Sequence, residues 1–186
     1  MAGTLAGQAG NDGRWRLAVW GTAAFLLLLP ALLMLVSEEM VWDETDFIVW
    51  GAMLAIAAGT YEVGARMSRS VAYRAAVGVA VVAGFLLVWI NLAVGFIGNE
   101  DNPANLMYLG VLGIGVVGAL LARFRARGMG RALMAVAAAH ALVGIIALVA
   151  SLDTRPVVLF MNGFFVAVWM VSAGLFQAAA REAPAR

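Results

Sequence analysis

The residues of this chain that could do chemistry are few, and they lie within long apolar runs. His140 is the only histidine, and Glu62, Asn91 and Asn162 are the other polar side chains that interrupt such runs most clearly. Ionisable side chains at membrane depth are costly and mark ion paths, proton relays or ligand sites. These four residues therefore form a candidate intramembrane polar site, in which His140 would bind a ligand or relay a proton.

Each of these residues also has a structural interpretation, which is the simpler one. A neutral histidine or an asparagine can hydrogen-bond to a neighbouring helix and so hold two helices together. Glu62 stands four residues before Arg66, the order that favours an ion pair within one helix. The functional interpretation stays open beside it.

A second group of candidates is acidic. Carboxylates gather in three turns, and oxygen ligands of this kind suit a hard cation such as Ca²⁺ or Mg²⁺. If the turns meet at one face, these side chains would lie side by side, but their spacing defines no coordination shell and the metal is unknown. Solvated negative turns are the simpler explanation. The predicted outer-face acidic cluster comprises Asp43, Asp46, Glu100, Asp101 and Asp153.

Several classes of function are disfavoured by what the chain lacks. It has no cysteine, which excludes disulfides, thiolate metal sites and cysteine nucleophiles. One histidine cannot form a bis-histidine haem site, and no zinc motif, catalytic triad or nucleotide-binding fingerprint occurs. A formal net charge of +1 without a basic, aromatic stripe argues against nucleic acid. We predict no enzyme activity and no cofactor.

Membrane helices must position these residues. Of 186 residues, 64% are hydrophobic, against roughly half in soluble domains. A span needs about 20 mainly apolar residues, and six such runs occur. We predict an all-α, integral membrane six-helix bundle at 14–182, between a disordered tail at 1–13 and a short C-terminal tail at 183–186. The predicted spans are residues 17–36, 47–65, 75–97, 106–122, 132–152 and 157–180.

A few residues indicate helix ends and one helix defect. Pro30 removes a backbone donor inside the first span, which frees a carbonyl that a neighbouring helix must satisfy. Asp43 or Thr45 would cap the second helix. Asn102 followed by Pro103 is a typical helix start.

Aromatic residues near the predicted helix ends are typical of interfacial anchors. Two tryptophans lie deeper and could border a lipid or quinone groove, although packing in the core is the simpler interpretation. The predicted anchors are Trp15, Trp20, Trp42, Trp50, Tyr73 and Tyr108, and the deeper pair is Trp89 and Trp169.

The distribution of arginine predicts the orientation. All twelve basic residues are arginine, and eleven lie in the N-terminal segment, the second and fourth connections and the C-terminal segment. By the positive-inside rule, both termini are cytoplasmic and the three acidic turns face outward. Arg155 is the one exception.

A short pattern recurs where the even-numbered helices begin. Residues 47–51, 106–110 and 159–163 read Phe-Ile-Val-Trp-Gly, Leu-Met-Tyr-Leu-Gly and Leu-Phe-Met-Asn-Gly. Hairpins repeated in one orientation would be parallel repeats. Apolar runs also align by chance, so the sequence leaves open whether the bundle comprises three parallel helical-hairpin repeats.

The stretch 89–108 carries a resemblance to known proteins. It reads Trp-Ile-Asn-Leu-Ala-Val-Gly-Phe-Ile-Gly-Asn-Glu-Asp-Asn-Pro-Ala-Asn-Leu-Met-Tyr and precedes the arginine turn and the His140 helix. Together these resemble a group of small uncharacterised multi-span inner-membrane proteins of Gram-negative bacteria, over about residues 75–180. The Asn-Glu-Asp-Asn-Pro-Ala-Asn turn is the distinctive part. The resemblance implies a bacterial inner-membrane location and no particular activity.

The sequence therefore predicts a non-enzymatic integral inner-membrane protein with an accessory or assembly role, or one that binds a lipid-like ligand such as a lipid or quinone. Its partners would be the lipid bilayer and either a second copy of the chain or a membrane complex. The alternative is a small oligomeric transporter or channel whose polar path includes Glu62, Asn91 and His140. The scarcity of charge inside the spans argues against that alternative.

Overall fold

The computed structural model describes residues 2–37, 41–153 and 155–182, and within these ranges the chain is helical without a β-strand. All six helices are long and apolar enough to cross a membrane, counting Arg14–Met34 for the first. The prediction of an all-α chain with six membrane-spanning helices is confirmed. The helices are α1 (Ala2–Met34), α2 (Glu44–Arg66), α3 (Val71–Ala93), α4 (Leu106–Leu121), α5 (Ala126–Val149) and α6 (Pro156–Glu182), with a short 3₁₀-helix at Pro103–Asn105 before α4.

The chain divides into two compact units, which we call unit 1 (Met1–Glu62) and unit 2 (Val63–Arg186). In unit 1, Pro30 lies inside α1 and leaves the Leu26 carbonyl without its helical donor. The indole N–H of Trp50 in α2 donates to that carbonyl at 2.9 Å. The freed carbonyl is thus satisfied by a neighbouring helix, and Trp50 has a structural role that an interfacial anchor would not need.

The start of α2 is capped by its own side chains. The Asp43 carboxylate accepts from the Asp46 N–H and the Asp46 carboxylate accepts from the Asp43 N–H, both at 3.0 Å. This reciprocal arrangement satisfies backbone donors that the first helical turn leaves without partners. Of the two predicted caps, Asp43 is the one that bonds in this way.

Helix α1 begins at Ala2, within the segment that the sequence predicts to be a disordered tail. Once a helix has formed, each further residue adds one hydrogen bond for each residue that is ordered. The apolar part of α1 therefore provides a nucleus from which the helix extends through the glycine-containing segment. Glu38 and Glu39 of the next connection lie outside the described residues, as does the predicted C-terminal tail.

In unit 2, α6 packs on both α3 and α5, and α4 packs on α5, whereas α3 and α4 contact each other little. Small residues permit the closest approach: a Cβ on Gly118 of α4 would lie 2.7 Å from the Cβ of Ala132 in α5. The predicted central hairpin of α3 and α4 is therefore held mainly through α5 and α6. The triplicated hairpin stays a prediction.

Two of the helix boundaries that differ from those expected from hydropathy lie beside glycines. Helix α3 ends at Ala93, and Gly95 and Gly98 beyond it take positive φ values of 68° and 70°, which end the helix at little steric cost. Helix α5 begins at Ala126 instead of 132. Gly128 and Gly130, which fall between the predicted spans 106–122 and 132–152, lie inside α5. Arg123 and Phe124 make the turn with φ values of 47° and 56°.

Candidate functional site

The buried polar side chains of unit 2 are centred on His140. Its side chain is 0% exposed, and the indole N–H of Trp169 in α6 donates to Nδ1 at 3.3 Å. The Phe165 ring is stacked on the imidazole, with ring centroids 5.5 Å apart and planes 8° from parallel. Because Nδ1 accepts a hydrogen bond, the neutral imidazole carries its proton on Nε2.

That Nε2–H has no hydrogen-bond partner among the described residues. The rings of Tyr108 and Phe96 have their centroids 5.2 and 6.4 Å from that of the imidazole, so the surroundings are largely aromatic. A buried donor without an acceptor costs about 1–3 kcal/mol. The Nε2–H of His140 can therefore donate to an acceptor outside the described residues, such as a buried water or a ligand oxygen.

Asn162 is joined to this group through Tyr108. The Tyr108 hydroxyl donates to Asn162 Oδ1 at 3.1 Å, and Asn162 Nδ2 donates to the Val158 carbonyl at 2.9 Å. Gly144 lets α5 approach, since a Cβ there would lie 3.2 Å from the side chain of Asn162. Tyr108 is 0% exposed, so its interpretation as an interfacial anchor is wrong. Its hydroxyl is a core hydrogen-bond donor.

An apolar groove lies on the surface of unit 2 between α3 and α6. Its volume is about 320 Å³, and small residues on α3 make the recess. Phe165 both lines the groove and stacks on His140. Trp169 does not line the groove; its side chain is buried in the core, where it donates to His140. The lining residues are Gly78, Val79, Val82, Ala83, Leu86, Phe164, Phe165 and Val168.

The connection between α3 and α4 is organised by Asn105, which is 8% exposed. Its Oδ1 accepts from the N–H groups of Phe96 and Ile97 at 3.0 and 2.9 Å. Its Nδ2 donates to the carbonyls of Ile97 and Asn99 at 3.3 and 2.6 Å. This holds the Phe96 ring 4.6 Å from Tyr108. Asn105 therefore positions one aromatic wall of the His140 site, a role that no pattern in the sequence predicted.

Asp153 joins the same connection to the one between α5 and α6. Its Oδ2 accepts from the Gly98 N–H at 2.9 Å and from Arg155 Nη2 at 2.6 Å. Arg155 Nη2 also donates to the Gly98 carbonyl at 2.9 Å. Hydrogen bonds from the Arg155 guanidinium, with those from backbone N–H groups, hold the pKa of Asp153 well below its usual range. The carboxylate is therefore kept ionised, and it links the α3–α4 connection to the α5–α6 connection.

The predicted acidic cluster has separate roles in the structure. Asp43 and Asp46 cap α2 in unit 1, Asp153 is paired with Arg155, and Glu100 and Asp101 are exposed. Within the described ranges, no group of three or more His, Cys, Asp or Glu side chains is placed to hold a metal ion.

The other two predicted polar residues, Glu62 and Asn91, bond to partners other than the His140 group. Glu62 belongs to unit 1, where its carboxylate bonds to Arg16 Nε at 2.9 Å and to the Trp20 indole N–H at 2.6 Å. These bonds link α2 to α1. The pair of Glu62 with Arg66 within α2 stays a prediction. Asn91 is half-buried, and its Nδ2 donates to the Leu87 carbonyl of its own helix at 3.1 Å. The structure brings together His140 and Asn162, with Tyr108 between them.

The comparison with family models, the search of curated proteins and the search of solved structures each found no match. The resemblance to small Gram-negative inner-membrane proteins stays a prediction, and function is inferred from the residues of this chain.

Charge is distributed unequally between the two ends of unit 2. The Tyr73 hydroxyl of α3 donates to the Phe124 carbonyl at 2.7 Å, and Ser70 Oγ donates to Glu182 of α6 at 2.7 Å. The start of α3, the α4–α5 turn and the end of α6 therefore share one end, which we call the arginine end. Its arginines are Arg66, Arg69, Arg74, Arg123, Arg125, Arg127, Arg131 and Arg181. Glu100, Asp101 and Asp153 lie in the connections at the opposite end.

Proposed function

We propose that this chain is a non-enzymatic, multi-pass protein of a bacterial inner membrane that binds a lipid-like ligand in the α3–α6 groove. The observation that carries the proposal is the groove itself, which is lined entirely by glycine, aliphatic residues and phenylalanine. A volume of about 320 Å³ lies at the lower end of the range for small-molecule sites, which is roughly 300–1,000 Å³.

The lining favours a flexible hydrocarbon chain. Association inside a bilayer gains little from the hydrophobic effect, because lipid tails are as apolar as leucine, and depends instead on close packing. Gly78 and Ala83 make a recess, and Phe164, which is 46% exposed, provides a broad ring surface at its edge. An acyl or isoprenoid chain in this recess would gain van der Waals contacts that a smooth helix surface cannot offer. Phospholipid tails and quinone tails share this chemistry.

Blocking the groove should remove the ligand. We expect Val168→Trp to lower the amount of co-purifying lipid-like molecule by about tenfold, the consequence of losing roughly 1.4 kcal/mol of binding free energy, because the indole would fill the recess. The matched control is Val171→Trp, at a valine of the same helix that is 57% exposed and outside the lining. Mass spectrometry of organic extracts from both variants and wild type measures the ligand. Equal retention by the two variants would contradict the groove as the binding site.

Orientation is the second part of the proposal: the arginine end of unit 2 faces the cytoplasm, in accord with the positive-inside rule. The chain has no cysteine, so single cysteines can report topology. We expect Asp101→Cys to react with an impermeant maleimide added outside intact spheroplasts, and Arg69→Cys to react only after lysis. Both residues are exposed, so accessibility differs only through the membrane. Labelling of Arg69→Cys in intact spheroplasts would reverse the proposed orientation.

The transporter alternative has one supporting observation. Asn91 Oδ1 and His140 Nε2 are buried polar atoms without a hydrogen-bond partner among the described residues, as sites along a polar path would be. Against it, Tyr108, Asn162 and Ser172 are bonded within the protein. A proton flux into proteoliposomes that is lost in His140→Ala would favour this alternative over the groove.

A further inference from the structure

Six arginines at the arginine end present guanidinium groups that no side chain in the described ranges neutralises. All six are exposed, and none has an ion pair or side-chain hydrogen bond with the described residues. The acidic residue described at this end of unit 2, Glu182, accepts a hydrogen bond from Ser70. The six are Arg69, Arg123, Arg125, Arg127, Arg131 and Arg181.

Two of these arginines continue an apolar stripe. Arg127 and Arg131 lie four residues apart on α5 and so share one helical face. The same face continues with exposed apolar residues, Met134, Leu142 and Ile145, which are 42%, 55% and 56% exposed. A cationic head followed by an apolar stripe is complementary to a molecule with an anionic head and a hydrocarbon tail.

The backbone that carries the arginines is held in place. The Phe124 carbonyl accepts from the Tyr73 hydroxyl, and the Phe124 N–H donates to the Ala119 carbonyl at 3.2 Å. Close packing at Gly118 and Ala132 keeps α4 against α5. Arg123 and Arg125 therefore extend from an ordered turn, and Arg127 and Arg131 extend from the packed start of α5. This order lowers the entropic cost of binding.

We propose that the arginine end binds the phosphate of an anionic phospholipid, with Arg127 and Arg131 as the principal contacts and the lipid tail along the exposed face of α5. Guanidinium groups bind phosphate oxygens with two parallel hydrogen bonds. A zwitterionic lipid carries its own cation beside the phosphate, so these arginines would attract it less than a lipid of net negative charge. This site is separate from the α3–α6 groove and does not depend on it.

Native mass spectrometry of the full chain in detergent with phosphatidylglycerol and phosphatidylcholine of identical chains tests the proposal. We expect wild type to prefer phosphatidylglycerol. In the double variant Arg127→Gln with Arg131→Gln, this preference should fall about fivefold for each arginine removed. The matched control, Arg127→Lys with Arg131→Lys, keeps the charges and should retain most of the preference. Both side chains are exposed, so the unfolding temperatures of all three proteins should agree.

An unchanged preference in the glutamine variant would overturn the proposal. Millimolar inorganic phosphate should displace the lipid little, because it lacks the tail; complete displacement would assign the arginines to a free anion and would also overturn it. The groove variant Val168→Trp should keep the preference for phosphatidylglycerol, so the outcome is independent of the groove.

Discussion

Replacing Asn105 by alanine is expected to lower the free energy of unfolding by roughly 3–5 kcal/mol, since each stranded buried polar group costs about 1–3 kcal/mol. The substitution would leave the N–H groups of Phe96 and Ile97 without an acceptor, and the carbonyls of Ile97 and Asn99 would lose a donor. No other residue in the connection is placed to make all four bonds. Unfolding in detergent, followed by tryptophan fluorescence, measures the change.

Asn102→Ala is the matched control. Asn102 lies in the same connection, but its side chain accepts only from the Ala104 N–H, at 3.0 Å, so the expected loss is about 1 kcal/mol, as for an ordinary helix cap. Equal losses for the two asparagines would show that Asn105 does not organise the turn.

Replacing Gly118 by leucine is expected to separate α4 from α5, with a loss of roughly 2–4 kcal/mol, toward the upper range of overpacking costs. Even the first added carbon would lie 2.7 Å from the Cβ of Ala132 and 3.4 Å from its Cα. The obstacle is a backbone-proximal methyl group that cannot rotate away, so the helices themselves must move. Thermal unfolding in detergent measures the loss.

The control for this substitution lies on the same helix. A Cβ on Gly113 meets nothing within 4 Å, so Gly113→Leu should be neutral or should stabilise α4 slightly, because leucine is the better helix former. If Gly113→Leu destabilised the protein as strongly as Gly118→Leu, the cause would be the loss of a glycine and not the loss of close packing between α4 and α5.

Much of the fold follows from local sequence, as particular residues show. The apolar runs located all six helices because a span requires an unbroken apolar stretch. Asp43 capped α2 as expected, and Pro30 freed a carbonyl as expected. Boundaries near glycine were less predictable: Gly128 and Gly130 resembled a connection, yet they lie inside α5. A glycine can end a helix, or it can lie inside a helix and permit close packing against a neighbour. Which of these occurs depends on the neighbouring helix.

The residues of the candidate site were predictable from the sequence, but the contacts between them were less so. His140 and Asn162 stood out as polar side chains in apolar runs, and the structure joins them through Tyr108. Tyr108 lies near a helix end, where the interfacial interpretation is equally compatible with the sequence. Glu62 stood out for the same reason as His140, but its bonds to Arg16 and Trp20 belong to unit 1.

For the candidate residues, sequence alone determined some features and tertiary structure decided others. Sequence determined the number of spans, the sites where polarity is costly and the charge of each connection, because the bilayer acts on every segment independently. Tertiary structure decided the partners: Trp50 for the Leu26 carbonyl, Trp169 for His140 and the Gly98 N–H for Asp153. A buried polar group must be satisfied, but its partner can come from any helix that packs beside it.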